Sequence, residues 1–301
     1  MDTACLDYCL THEERLLFDK NGFFIVEDAL PPKLVDDLNA VLDRLEAKYR
    51  PEQNLSPHER CNIFDFIGKD DLFLELLDWY KTFPKVWGIL GWHIQLYHSH
   101  LGITPPLPPE ERSEEARLGW HQDSGRLNMD LESNPRPRIS LKIGYFLTDT
   151  TEEGSGNFYV IPGSHLFGDH YADGLTKQVG KSQELWEIHG RDIPAVAFET
   201  TPGDLVLFNH NTKHAAFGGG QRRRMFTMNL CQRYPDDKLD ALQAYIGGSA
   251  RFWIDRKYGE KMVRTATSER WIHLEQVRAN DGHLAELSRQ ARERMSEPSR
   301  G

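Results

Sequence analysis

The spacing of apolar positions changes twice along this chain of 301 residues. Near the start, THEERLLFDKNG places Thr11 and Glu14 at capping-box separation and ends on Asn21-Gly22, which predicts a short helix closed by a turn. GFFIVEDAL then reads as a strand. From Pro31 onward Leu34, Val35, Leu38, Val41, Leu42 and Leu45 form the apolar stripe of an amphipathic helix that runs to about Tyr49. Another helical region, rich in Leu and Trp, is predicted between Phe64 and Leu90, after which WHIQLYHSHL returns to strand-like alternation. The Pro- and Glu-rich ITPPLPPEERSEEARLG has no period and reads as a long surface loop.

From Trp120 to Tyr234 strand signals dominate in ISLKIGYFL, GNFYVI, AVAFET, DLVLFNH and MFTMNLCQRY, joined by the turn-like pieces TEEGSG, PGSH, TPGD and FGGGQ. Many short strands at roughly regular spacing favour a jelly-roll barrel over a parallel sheet. After Tyr234 the pattern is helical again. The expected organisation is a single catalytic domain, mainly β with flanking helices. Its parts are N-terminal helices and a strand over about 1–90, a barrel core over 91–235 and a C-terminal helical extension over 236–301.

Composition narrows the partners. With 39% hydrophobic residues the chain has enough apolar surface to fold as a globule. The excess of 46 acidic over 36 basic residues, net −10, disfavours nucleic acid as a partner. No signal peptide and no apolar run of the ~20 residues needed to span a bilayer is readable, so a cytoplasmic protein without membrane contact is expected. The four cysteines lack a C-x-x-C pair, which argues against a disulfide scaffold or a thiolate metal site. Oligomeric state has no signal. The cluster Arg222, Arg223 and Arg224 stands out in so acidic a chain.

Candidate chemistry begins with GWHQDSGRL. In an extended strand residues i and i+2 share a face, so His121 and Asp123 present an imidazole and a carboxylate to one point. An isolated H-x-D is weak, because thirteen histidines in this composition produce one by chance. Its weight comes from LVLFNHNTKHAAFGGGQRRRMFTMNL, where His214 follows a buried-strand pattern and the arginine cluster follows His214. Two histidines and a carboxylate leave open positions on one face of Fe(II), as chelation of an oxoacid together with O₂ requires. An arginine on the next strand would hold the distal carboxylate of that oxoacid in bidentate fashion.

With these motifs the sequence resembles the phytanoyl-CoA dioxygenase family of 2-oxoglutarate oxygenases over about residues 15 to 235. The resemblance rests on GFFIVEDAL, GWHQD, YFLTDTTEEGSGNFYVIPGSH and TPGDLVLFNHNTKHAAF with the Arg-rich strand after it. It implies a double-stranded β-helix of cupin-like, jelly-roll form. It also implies Fe(II) on His121, Asp123 and His214, with 2-oxoglutarate as cosubstrate and O₂ as oxidant. Arg223 is preferred for the oxoglutarate carboxylate and Arg224 is the alternative, since neighbours on a strand face opposite ways. Gly144 stands where several members carry a Trp that contacts oxoglutarate. Lys142 shares the face of Gly144 and is a candidate to point inward and assist, the other reading being a solvent-facing lysine. Gln95, His98 and His100 lie on a strand that in the family borders cosubstrate and substrate.

Other residues have blander readings. His165 of PGSH reads as a turn residue, Gln122 as structural, and the pair His210 and His214 lacks the helix and adjacent Glu of a zinc protease. Ser124, Arg126, Arg251 and Trp253 are candidates for the substrate pocket. The resemblance implies hydroxylation of an unactivated C–H of a small-molecule metabolite, with release of succinate and CO₂. An acid at position 123 favours hydroxylation over halogenation, because halogenating relatives have a small residue there. The competing readings are a barrel that binds metal or ligand without turnover, and a protein or peptide hydroxylase of the same fold.

Overall fold

The computed structural model describes residues 3–64, 66–92, 94–112, 116–123, 140–152, 154–167 and 174–299. Helix α1 (His12–Asn21) begins with the capping box: Thr11 Oγ1 accepts from the Glu14 N–H at 3.1 Å, and Glu14 Oε2 accepts from the Thr11 N–H at 2.8 Å. It ends at Gly22 in the left-handed conformation, as the sequence predicts. Strand β1 (Phe23–Val26) leads to α2 (Pro32–Glu52), in which all six residues of the apolar stripe are buried. Each such side chain contributes roughly 1.5–3 kcal/mol, an upper figure for area removed from water. The region between Phe64 and Leu90 is broken into α3 (Asp71–Glu75), α4 (Phe83–Leu90) and short 3₁₀ turns.

Two antiparallel sheets follow. The larger has the order β1-β8-β5-β10-β3-β2, where β2 is Cys61–Phe64, β3 Ile94–Thr104, β5 Ser140–Phe146, β8 Leu205–Asn209 and β10 Arg223–Gln232. The smaller has the order β4-β9-β6-β7, with β4 Ala116–His121, β6 Ser155–Val160, β7 Val196–Phe198 and β9 His214–Gly218. Period-two alternation sorts the side chains into layers. Leu205, Leu207, Phe226, Met228 and Leu230 face α2 and the other helices outside the larger sheet. Val206, Phe208 and Met225 face the opposite way and meet Phe158, Val160 and Phe198 of the smaller sheet, which closes the barrel interior. Outside the smaller sheet Trp120, Tyr159 and Phe217 pack with Val179 and Ile193 from an inserted segment.

Helix accounts for about 46% of the described residues and strand for about 22%, so the β core organises the molecule without forming its majority. Three local expectations change. The surface loop is shorter than its composition suggests, since β3 runs on to Thr104 and β4 starts at Ala116. HAAFG, which reads as part of a glycine-rich loop, is strand β9. Strand β2 was not expected at all. Among the described residues no helix is long and apolar enough to cross a membrane. The four cysteines are free thiols.

Gly218 ends β9 with φ +70°, and a Cβ built there lies 2.4 Å from the Gly154 carbonyl oxygen. Both the conformation and the backbone contact exclude a side chain. Gly218→Ala is expected to lower the unfolding free energy by about 1–3 kcal/mol, read as a reduced urea midpoint at unchanged slope.

Candidate active site

The antiparallel pairing of β4 and β9 sets His121 opposite His214, with ring centroids 4.1 Å apart. Asp123 lies just beyond the end of β4 and not on an extended strand, so simple alternation is not what aims it. Its backbone N–H donates to the His210 carbonyl at 3.0 Å, which turns its carboxylate back toward the two histidines. Asp123 Oδ1 is 3.8 Å from His121 Nε2, and Oδ2 is 3.4 Å from His214 Nε2. One ligand atom from each residue lies within 4.8 Å of the others, the single such group among the described residues.

The donor set suits a divalent transition metal. His121 Nδ1 lies 2.7 Å from the Gly119 carbonyl and His214 Nδ1 lies 2.8 Å from the Thr212 carbonyl. Each Nδ1 therefore carries the proton, and each Nε2 lone pair is directed to the common point. His214 is further held between the rings of Phe158 and Phe208, at 5.1 and 5.0 Å. Burial, then the neighbouring His214, lowers His121 to about 4. Burial alone would raise Asp123, but Lys142 and the two histidines outweigh it and hold this carboxyl well below its usual range.

Lys142 does point inward, from β5, and its Nζ donates to Asp123 Oδ2. Its described partner is thus the carboxylate that converges with His121 and His214. Gly144, two residues on, has its empty side-chain space filled by Met225, whose Cε lies 2.5 Å from where a Cβ would stand. The cluster of three arginines separates by direction. Arg222 is exposed, 3.9 Å from Asp43. Arg224 is buried against α2: Nη1 donates to the Asn39 carbonyl and Oδ1 at 3.2 and 3.1 Å, and Nη2 pairs with Asp43. Arg223 turns into the barrel, where its Cδ would meet a Cβ on Gly156 at 3.2 Å and its Nη2 approaches Met225 Sδ at 3.4 Å. Its Nε is buried without a hydrogen-bond partner, and burial followed by the charge of Arg60 lowers its pKa to about 10.

His98 and His100 line the inner face of β3. His100 Nε2 lies 2.9 Å from Asn62 Oδ1, and Phe64 stacks on His100 at 5.0 Å and on Phe252 at 4.4 Å. Gln95 is buried beside Cys231, donating to its Sγ at 3.6 Å, and no described contact joins it to the triad. Gln122 accepts from Thr176 Oγ1 at 3.1 Å, and His165 bonds to the Asp19 carbonyl at 3.2 Å, both structural as expected. Arg251 covers the Phe252 ring at 4.3 Å, while Trp253 has its Nε1 buried without a partner. Ser124 and Arg126 lie outside the described residues. What the sequence did not reveal is a buried network under Asp123, where His210 meets Tyr97 Oη at 2.9 Å and Ser140 Oγ. Burial lowers His210 to about 3, so it is neutral.

Neutral buried histidines couple stability to pH. His121, His210, His98 and His100 all titrate below the ordinary 6.5, so between about 6.5 and 4 the unfolded chain binds protons that the folded chain refuses. Asp123, with its lowered value, contributes stability that is present throughout this window and is lost only under stronger acid. The metal-free protein is expected to be most stable above pH 6.5 and to weaken steadily toward pH 4. Urea midpoints across that range should report uptake of more than one proton on unfolding.

The family model for phytanoyl-CoA dioxygenase matches residues 18–225. A protein named ectoine dioxygenase from Nocardia farcinica (strain IFM 10152) is 25% identical over 233 residues, covering 68% of this chain and 72% of that one. Among solved structures, HygX from Streptomyces hygroscopicus with nickel and 2-oxoglutarate bound has a TM-score of 0.58 at 15% identity, covering 75% of this chain and 88% of its own. EctD from S. alaskensis with 2-oxoglutarate and 5-hydroxyectoine has a TM-score of 0.55 at 20% identity, covering 74% and 76%. These two likenesses establish the cupin-like fold. The chain belongs to the phytanoyl-CoA dioxygenase family and is a 2-oxoglutarate-dependent dioxygenase.

Proposed function

We propose that this enzyme hydroxylates an unactivated C–H bond of a small-molecule metabolite, as a single catalytic domain in the cytoplasm. The observation that carries the reading is the convergence of His121, Asp123 and His214 at one end of a barrel whose interior also receives Arg223. In the balanced reaction 2-oxoglutarate, O₂ and substrate give succinate, CO₂ and hydroxylated substrate. His121, Asp123 and His214 would hold the iron, which would supply the activation of O₂ that couples oxoacid decarboxylation to oxygen insertion.

The protein's own part is placement. His121 and His214 offer Nε2 because their Nδ1 protons are committed to backbone carbonyls. Lys142 keeps Asp123 ionised and oriented, and so acts through that carboxylate. Arg223 is the residue for the distal oxoglutarate carboxylate, because Arg224 is already occupied by Asn39 and Asp43 outside the barrel. His98 lies on the inner wall where cosubstrate and substrate approach, and Gln95 lies deeper, beside Cys231. The relative named for ectoine and the neighbour binding 5-hydroxyectoine support a compact small molecule as substrate.

Succinate formation over a set of candidate metabolites, ectoine among them, tests the reading. His214→Ala is expected to abolish both metal binding and succinate release; retention of both would overturn the assignment. Arg223→Ala is expected to raise the 2-oxoglutarate requirement by about 10- to 100-fold, the loss of a charge-assisted bond. Arg224→Ala should instead leave that requirement unchanged while lowering stability by about 1–3 kcal/mol as the hydrogen bonds to Asn39 and Asp43 are lost, read by urea denaturation. A basic peptide that released succinate where no metabolite did would favour a peptide hydroxylase.

A further inference from the structure

A second arginine reaches the barrel interior from a segment with no assigned role. Arg60 immediately precedes β2, and period two puts Arg60, Asn62 and Phe64 on the face toward His98 and His100, while Cys61 and Ile63 enter the outer core. Its guanidinium lies over Gly102 of β3: a Cβ built there would be 2.5 Å from Nη2 and 3.0 Å from Nε. The β3–β10 register sets Gly102 opposite Met225 and Thr104 opposite Arg223, so the two arginines share one level of the inner wall. The triad end is marked by Lys142 and His98, which flank Asn229 four residues further along β10, a rise of about 13 Å.

Among the described residues neither arginine has a counter-ion. The Nε of each is buried without a hydrogen-bond partner, and among the described residues no acidic side chain pairs with either. Burial lowers the pKa of Arg60, and its charge in turn lowers Arg223 and His100. Two like charges withdrawn from water beside one another are costly unless an anion joins them. A carboxylate has about four lone-pair sites and can accept from two guanidinium groups at once.

We infer that Arg60 and Arg223 form a two-arginine clamp on the distal carboxylate of the oxoacid cosubstrate, with Arg60 as a binding residue recruited from the N-terminal part of the chain. This rests on the oxoglutarate reading above. A five-carbon diacid chelated at the triad would direct its far carboxylate down the barrel toward Gly102, and the length of the two arginine side chains covers the rest of that rise. A carboxylate carried by the hydroxylated substrate is the other source of the same chemistry, and the measurement separates the two.

The experiment is anaerobic calorimetry on the Fe(II)-loaded full chain, comparing 2-oxoglutarate with 2-oxopentanoate, which keeps the chelating end and lacks the distal carboxylate. For Arg60→Gln the Kd for 2-oxoglutarate is expected to rise by about tenfold or more while that for 2-oxopentanoate stays within about twofold. Arg60→Lys, which keeps the charge and loses the fork, should fall between, and it carries the same comparison if the Gln variant does not fold. An unchanged Kd for 2-oxoglutarate in Arg60→Gln would overturn the clamp and assign Arg60 to the substrate. Equal weakening of both oxoacids would also overturn it, by reducing Arg60 to a packing role. If the wild-type protein held iron and bound no 2-oxoglutarate, the cosubstrate reading itself would fall.

Discussion

The pairing of His121 with His214 across β4 and β9 is the constraint on which the rest of the site depends. Because side chains alternate with period two, a shift of one residue in that pairing would send one imidazole to the outer layer with Trp120 and Phe217. Several features fix the register. Phe158 and Phe208 grip His214 from both sheets, and Gly218 closes against Gly154 at the far end of β9. Asp123 then needs no strand of its own, since one backbone hydrogen bond to the His210 carbonyl suffices to aim it.

The interior is divided between an apolar plug and a charged chamber. Phe146, Val206, Phe208 and Met225 meet Phe158, Val160 and Phe198 to form the plug, while Lys142, Asp123, Arg223 and the inner histidines occupy the remainder. Met225 belongs to both, because it fills the space above Gly144 and also receives Arg223 Nη2. The absence of a large residue at position 144 is thus compensated by a flexible thioether from the adjacent strand. Charge is compensated unevenly: Lys142 has Asp123, whereas among the described residues no acidic side chain pairs with Arg60 or Arg223. A site of this kind is stabilised by its ligand, by mass action.

Much of this was legible in the sequence where local rules act alone. The capping box at Thr11 and Glu14, the stripe from Leu34 to Leu45 and the buried-strand run LVLFN each depend on a few neighbouring residues, and each appears as read. The grouping of His121, Asp123 and His214 was legible through motif spacing. Strand β9 was not, because HAAFG combines small residues with a glycine and carries no β-branched side chain. Nor was the pairing of Lys142 with Asp123, since alternation tells which face a lysine takes and not which carboxylate it finds. Arg60 had a signal in the alternation of RCNIF, but the strand it precedes has only four residues, too few to declare from sequence. That Arg224 turns outward needed α2, whose Asn39 and Asp43 lie far away in sequence.

Arg223 and Arg224 are adjacent, and one is tied to the scaffold while the other enters the chamber. The turn that delivers them, Gly219 to Arg222, looks permissive, being glycine-rich and partly exposed. Its length is nevertheless locked. Removing one residue would exchange the destinations of the two side chains, putting a guanidinium intended for α2 into the chamber and stranding the other against the helix. Such a turn can vary in identity far more readily than in length, so insertions and deletions, ordinarily best tolerated in loops, are here the more damaging class of change.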